Sequence, residues 1–134
     1  MGLIIDTNVF IDAEQGRMHL TQIPALKKHR EAFISVITIS ELLAGVHLAK
    51  TIDERIKRSA FVQHIIATIP ALDFDQAVAK TYSELHVYFL TSRKAAPAIH
   101  DLQISATAIT YGYPVLTSNS ADFKKIPGLE VLSP

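Results

Sequence analysis

Asp6, Glu41, Asp101 and Asp122 are scattered along the chain, yet each stands in the same kind of place. Asp6 ends the apolar run Leu3-Ile4-Ile5. Glu41 comes soon after Phe33-Ile34-Ser35-Val36-Ile37. Asp101 opens a helical pattern that leads to Val115-Leu116-Thr117, and Asp122 lies just past that run. An ionised side chain beside a core strand is costly unless it caps, pairs with or binds something. Three or four carboxylates drawn to one place repel one another and raise their own pKa values unless a cation neutralises them. A divalent, oxygen-preferring ion such as Mg²⁺ or Mn²⁺ suits an all-carboxylate set with retained waters. Such ions acidify bound water and clamp the attacking and leaving oxygens of a phosphodiester.

Taken singly, each acid has a plainer role. Asp6 would N-cap a helix beginning at Thr7, Asp101 would cap its own helix, and Asp122, before Phe123, would be a turn residue. Glu41, in "ITISELLAG", is harder to dismiss on a mostly apolar helix start. The Thr7 and Thr117 hydroxyls are placed to hydrogen-bond the carboxylates, although backbone capping accounts for both equally well. His100 precedes Asp101, where a surface or capping role is the plainer reading and a proton relay or phosphate grip the sharper one. The other histidines (19, 29, 47, 64 and 86) are not spaced as a zinc pair.

These acids need elements to position them. Leu3 to Asp6 reads as a short buried strand and Thr7 to about Gln15 as a helix stopped by Gly16. An amphipathic segment runs from Leu20 to about Arg30, with Pro24 in an early turn. Phe33–Ile37 reads as a strand that passes into a helical pattern at Thr38. Asp53 to Ile66 reads as a helix with Ile56, Ala60, Val62 or Gln63, and Ala67 on one face. Ala71–Phe74 is a short strand, and Asp75 caps a helix from Gln76 to about Thr91 with Ala79, Tyr82, Leu85, Val87 and Phe89 partly inward. Ser92 to His100 is a loop, and Asp101 opens a helix that Gly112 closes. Val115–Thr117 is a strand, Ser118-Asn119-Ser120 a polar turn, and Glu130–Leu132 the last strand. Short apolar strands alternating with helices predict one α/β domain over residues 1–134, a three-layer α/β/α sandwich around a mostly parallel sheet. In such a sheet ligands bind beyond the carboxyl ends of the strands, where strand order switches.

Composition narrows the options. The 134 residues are 49% hydrophobic and 19% charged, ordinary for a globular protein. There is no cysteine, which excludes disulfides and thiolate metal sites. No apolar run approaches the roughly 20 residues of a membrane span, and no basic stretch leads an apolar one at the N-terminus, so a soluble cytoplasmic protein is expected. Thirteen Lys+Arg balance thirteen Asp+Glu, unlike a strongly basic nucleic-acid binder. Cations nevertheless cluster at Lys27-Lys28-His29-Arg30, Arg55/Lys57/Arg58, Arg93-Lys94 and Lys124-Lys125.

"IIDTNVFID", "ITISELLAG", "IHDLQISATAI" and "VLTSNSADF" resemble the four motifs of the PIN-domain ribonucleases, above all the short VapC-type toxins of prokaryotic toxin–antitoxin pairs. The likeness runs in order from about Leu3 to the C-terminus. It implies a PIN-like fold, metal-dependent RNA hydrolysis with Mg²⁺ or Mn²⁺, a cognate VapB-type antitoxin and a homodimer. It places Asp6, Glu41 and Asp101 at the family's acidic positions. The fourth falls in "TSNSADF", where either Asn119 offers a neutral carbonyl oxygen to the metal, or Asp122 is the working acid, the assignment adopted. Arg93, Lys94, Lys124 and Lys125 flank the acids and are the expected RNA contacts. Tyr111 and Tyr113 are expected at the core margin. The segments Leu20 to Arg30 and Ile52 to Ile69 are the expected antitoxin groove.

Two other classes compete. A PIN nuclease maturing ribosomal RNA would carry the same residues. A non-hydrolytic, Mg-binding receiver-like module would need a further acid beside Asp6 and a lysine after the last strand, and neither is evident. A phosphatase of the Asp-x-Asp class would need an acid where Asn8 stands.

Overall fold

The computed structural model describes residues 2–28 and 31–134. The elements are β1 (Gly2–Ile5), α1 (Thr7–Glu14), a single 3-10 turn (Leu20–Gln22), α2 (Pro24–Lys28), β2 (Glu31–Ser35), α3 (Val36–His47), α4 (Ile52–Thr68), β3 (Ala71–Leu72), α5 (Gln76–Thr91), α6 (Ile99–Tyr111), β4 (Val115–Leu116), α7 (Ser120–Phe123) and β5 (Val131–Leu132). The five strands form one parallel sheet in the order β3-β2-β1-β4-β5.

Side chains on a strand alternate between the two sheet faces, and here the alternation divides the core. Leu3, Ile5, Ile34 and Leu116 pack on one face with Val9 and Phe10 of α1, Leu42 and Val46 of α3, and Val62 and Ile65 of α4. Ile4 and Val115 point the other way, against Val78, Leu85 and Phe89 of α5, Leu102 and Ile104 of α6, and Phe123. The three layers follow, with the sheet all parallel and not merely mostly so. Among the described residues no helix is long and apolar enough to cross a membrane.

Several expected boundaries move, each for a local reason. β2 ends at Ser35, whose Oγ accepts the Ile37 N–H at 3.1 Å and starts α3 at Val36. Val36 and Ile37 are β-branched and read as strand, but the cap decides. The 20–30 segment breaks at Ile23, which is extended as residues before proline tend to be. Its expected end at Arg30, with His29, lies outside the described residues. In α4 the buried positions are Val62 and Ile65, so Ile56, 62% exposed, and with it Ala60 and Ala67 of the expected face, turn outward. Ala79 and Val87 of α5 are likewise exposed, and Val78 takes the inward place.

Candidate active site

β1 and β4 are neighbours at the point where strand order reverses, paired through Ile4–Val115 and Ile5–Leu116. The chain leaving each strand therefore enters one crevice. Asp6 follows β1 and is 2% exposed. It does cap α1: Oδ1 accepts the Thr7 N–H at 2.8 Å, while Oδ2 accepts the Thr117 hydroxyl at 2.8 Å. Capping and a place in the site are thus compatible.

Short hydrogen-bonded chains link Asp6 to Glu41 and to Asp122. The Thr7 hydroxyl donates to Glu41 Oε1 at 2.7 Å. A hydroxyl has one hydrogen, so across the 3.0 Å between Thr7 Oγ1 and Thr38 Oγ1 it is Thr38 that donates. Glu41 Oε2 lies 3.1 Å from His100 Nδ1. On the other side Thr117 Oγ1 accepts the Asn119 N–H at 2.9 Å, and Asn119 Nδ2 donates to Asp122 Oδ2 at 2.9 Å. Asn119 thus holds Asp122 in place.

Asp101 is the third residue of α6 and does not open it. Ala98 occupies the N-cap without a side-chain bond, so the capping role expected for Asp101 is absent. Ile99 begins the helix inside the expected 92–100 loop, which brings His100 and Asp101 onto its first turn.

The electrostatics agree with this closeness. Burial pushes the Asp6 carboxyl up to about 7, opposed by the Thr117 hydrogen bond and reinforced by the charges of Asp101 and Glu41. Burial raises Asp101 to about 6, with Glu41 and Asp122 adding to the rise and His100 opposing it. Asp122 is more exposed and is held below its usual value, first by the Asn119 hydrogen bond. The arrangement is an open rim: among the described residues no three His, Asp or Glu side chains close on a point where one ion would touch all of them.

Three residues that the sequence reading passed over contribute. Asn8 Oδ1 accepts the Ser118 N–H at 3.1 Å and ties α1 to the turn after β4. Asp12 accepts the Ser118 hydroxyl at 2.8 Å. Thr38 stands behind Thr7. Asn8 follows Asp6 by two positions and Thr38 precedes Glu41 by one turn, the only local signals available.

Of the expected RNA contacts, Lys94, Lys124 and Lys125 line one groove of about 420 Å³. Arg93 is not among its lining residues. Tyr113 stacks on Phe33 and on Tyr111, and its ring lies against Gly2 at the far end of β1 from Asp6, at the core margin as expected. A second groove, of about 220 Å³, runs between α1, α3 and α4, lined by Phe10, Ile11, Leu42, Gly45, Phe61 and Arg58 and reaching Glu41. The 20–28 segment, expected to share in such a groove, does not line it.

Residues 3–129 match the PIN domain. Ribonuclease VapC1 of Rickettsia felis is 39% identical over 133 residues, spanning 99% of this chain and 96% of its own. Ribonuclease VapC5 of Mycobacterium tuberculosis is 34% identical over 125 residues, 93% of this chain and 87% of its own. The crystal structure of VapBC-5 from Mycobacterium tuberculosis, a member of the VapBC family of toxin–antitoxin systems, superposes with a TM-score of 0.80 at 26% identity, covering 99% of this chain and 98% of that one. VapBC2 from Rickettsia felis, bound to a promoter DNA fragment, shares the fold with a TM-score of 0.86 at 23% identity and the same coverage. With four motifs in order, the strand order that gathers their acids and a match spanning nearly its whole length, the chain belongs to the PIN-domain family.

Proposed function

We propose that this protein is a metal-dependent endoribonuclease, the toxic member of a cytoplasmic toxin–antitoxin pair. The observation that carries the reading is the pair Asp6 and Asp101: two carboxylates, both raised by burial, with no Lys or Arg among the described residues in an ion pair with either. Relatives named Ribonuclease VapC support the activity.

The donor set fits a hard divalent ion. It is all oxygen, and two carboxylates with retained waters are what Mg²⁺ or Mn²⁺ accepts, without the closed cage that the open rim lacks. Asp6 and Asp101 would hold the ion. When bound, it supplies acidified water and cover for the charge that develops on phosphate. Glu41, fixed at both oxygens by Thr7 and His100, faces this pair and orients or deprotonates the attacking water. Asp122, steadied by Asn119, completes the rim. Thr117 and Thr7 keep Asp6 in one rotamer.

The antitoxin that accompanies such relatives has a seat in the groove between α1, α3 and α4. Glu41 belongs both to that groove and to the rim, so an occupant reaches the acids.

The test is purified protein with total RNA and Mg²⁺, Mn²⁺ or EDTA, new ends being mapped by sequencing. Discrete 5′-phosphate ends that need the metal, reduced at least ~100-fold in Asp101→Asn with the fold retained, are expected. Full cleavage by Asp101→Asn would overturn the assignment. Growth arrest on induction, absent in Asp101→Asn, separates a toxin from an RNA-maturation enzyme.

A further inference from the structure

Lys94 and Lys124-Lys125 come from different parts of the chain. Lys94 lies on the segment between α5 and α6, and Lys124-Lys125 directly follow α7. All three nevertheless line the 420 Å³ groove, together with Ala95. Three cationic side chains gathered at one groove repel one another, and an anion bound there relieves that repulsion. One acid lies near: Asp122 Oδ1, 3.4 Å from Lys125 Nζ, an exposed pair of small worth.

Lys94 is held in place. Arg93 adopts φ 61°, the left-handed conformation that reverses the chain after a helix, and Lys94 folds back onto α5. Its Nζ donates to the Tyr88 hydroxyl at 2.9 Å and lies 5.5 Å from the centre of that ring. A free lysine keeps its long stem mobile, so this contact removes much of the entropy an anion would otherwise have to overcome. The groove also adjoins the acids, because Lys125 touches Asp122 and the charge of Asp122 is felt by Asp101.

We propose that Lys94, Lys124 and Lys125 form a phosphate clamp for the RNA strand beside the cut, with Tyr88 as the positioning residue for Lys94. This rests on the nuclease reading above. A strand whose reacting phosphate meets Asp6 and Asp101 passes a neighbouring phosphate between the three amines. Arg93 serves by its backbone turn and makes no contact in the groove.

The experiment measures binding of a short single-stranded RNA to the full-length protein in EDTA, where no cleavage occurs, at several salt concentrations. Each of Lys94→Ala, Lys124→Ala and Lys125→Ala should weaken binding several-fold and reduce the log–log salt slope by about 0.7. Tyr88→Phe removes no charge, yet it should weaken binding in the same direction, and adding it to Lys94→Ala should change nothing further. Lys57→Ala on α4 is the control and should bind as wild type. Unchanged slopes in Lys94→Ala and Lys124→Ala, with the wild type still cutting RNA, would overturn the clamp and leave the nuclease intact. A Tyr88→Phe effect that persists in full on the Lys94→Ala background would overturn the positioning role. Wild type that binds RNA through the lysines but does not cut it with either Mg²⁺ or Mn²⁺ present would instead refute the nuclease reading.

Discussion

Replacing Asp6 by Asn should make the protein more stable while abolishing its chemistry. Folding carries this carboxyl from 3.8 to about 7. At about 1.36 kcal/mol per unit the ionised form costs the fold about 4 kcal/mol, and relaxation around the group reduces this to about 2–4 kcal/mol. Between about pH 4 and 7 the folded state keeps a proton that the unfolded chain has released. Wild-type stability without metal therefore falls as pH rises through that window and levels off above it. The Asp6→Asn side chain keeps the shape: its carbonyl oxygen can still accept the Thr7 N–H. The Thr117 hydroxyl can turn its hydrogen to Asn8 Oδ1, 3.4 Å away. Urea unfolding in EDTA should show the variant matching wild type near pH 4 and exceeding it by about 2–4 kcal/mol near pH 8. Magnesium at pH 8 should stabilise wild type and leave the variant unmoved, since only the former binds it. A variant no more stable than wild type at pH 8 would refute the account of a buried, repelled carboxylate.

Other outcomes follow from single contacts. Thr117→Val removes the hydrogen bond that opposes the rise of Asp6, so the acid limb of the pH–rate profile should move upward and cleavage at neutral pH should drop about tenfold. Gly2→Ala would place a Cβ 2.8 Å from the Tyr113 ring, and urea unfolding should show a loss of about 1–3 kcal/mol. Gly45 sits inside α3 with nothing within 4 Å of where a Cβ would stand, because it floors the groove. Gly45→Ala should gain about 0.5–1 kcal/mol in thermal unfolding, whereas Gly45→Phe should fill the groove and block antitoxin capture.

The strand-end acids were legible because an apolar run that stops on a carboxylate is a local pattern, and β1 and β4 are short enough for the run to be the whole strand. Helix ends with a side-chain cap or a left-handed glycine, such as Asp75 and Gly112, were legible for the same reason. The start of α3 was not, since Val36 and Ile37 favour strand and one serine hydroxyl overrules them. The inward face of α4 is misread at Ile56, Ala60 and Ala67, because apolar residues run along two stripes of that helix and periodicity does not say which one meets the core. The four-residue α7 has no side-chain cap at Asn119 and left no local mark. The contacts of Asn8 with Ser118 and of His100 with Glu41 join residues that only the tertiary fold makes neighbours.

The bond between Thr117 and Asp6 joins residues 111 positions apart, and β1 meets β4 through only two residue pairs. During synthesis the first acid leaves the ribosome 111 residues before the threonine that completes its surroundings. A polypeptide that has not yet released β4 therefore carries no assembled centre, and a capacity to damage the cell's RNA can arise only once that strand has docked.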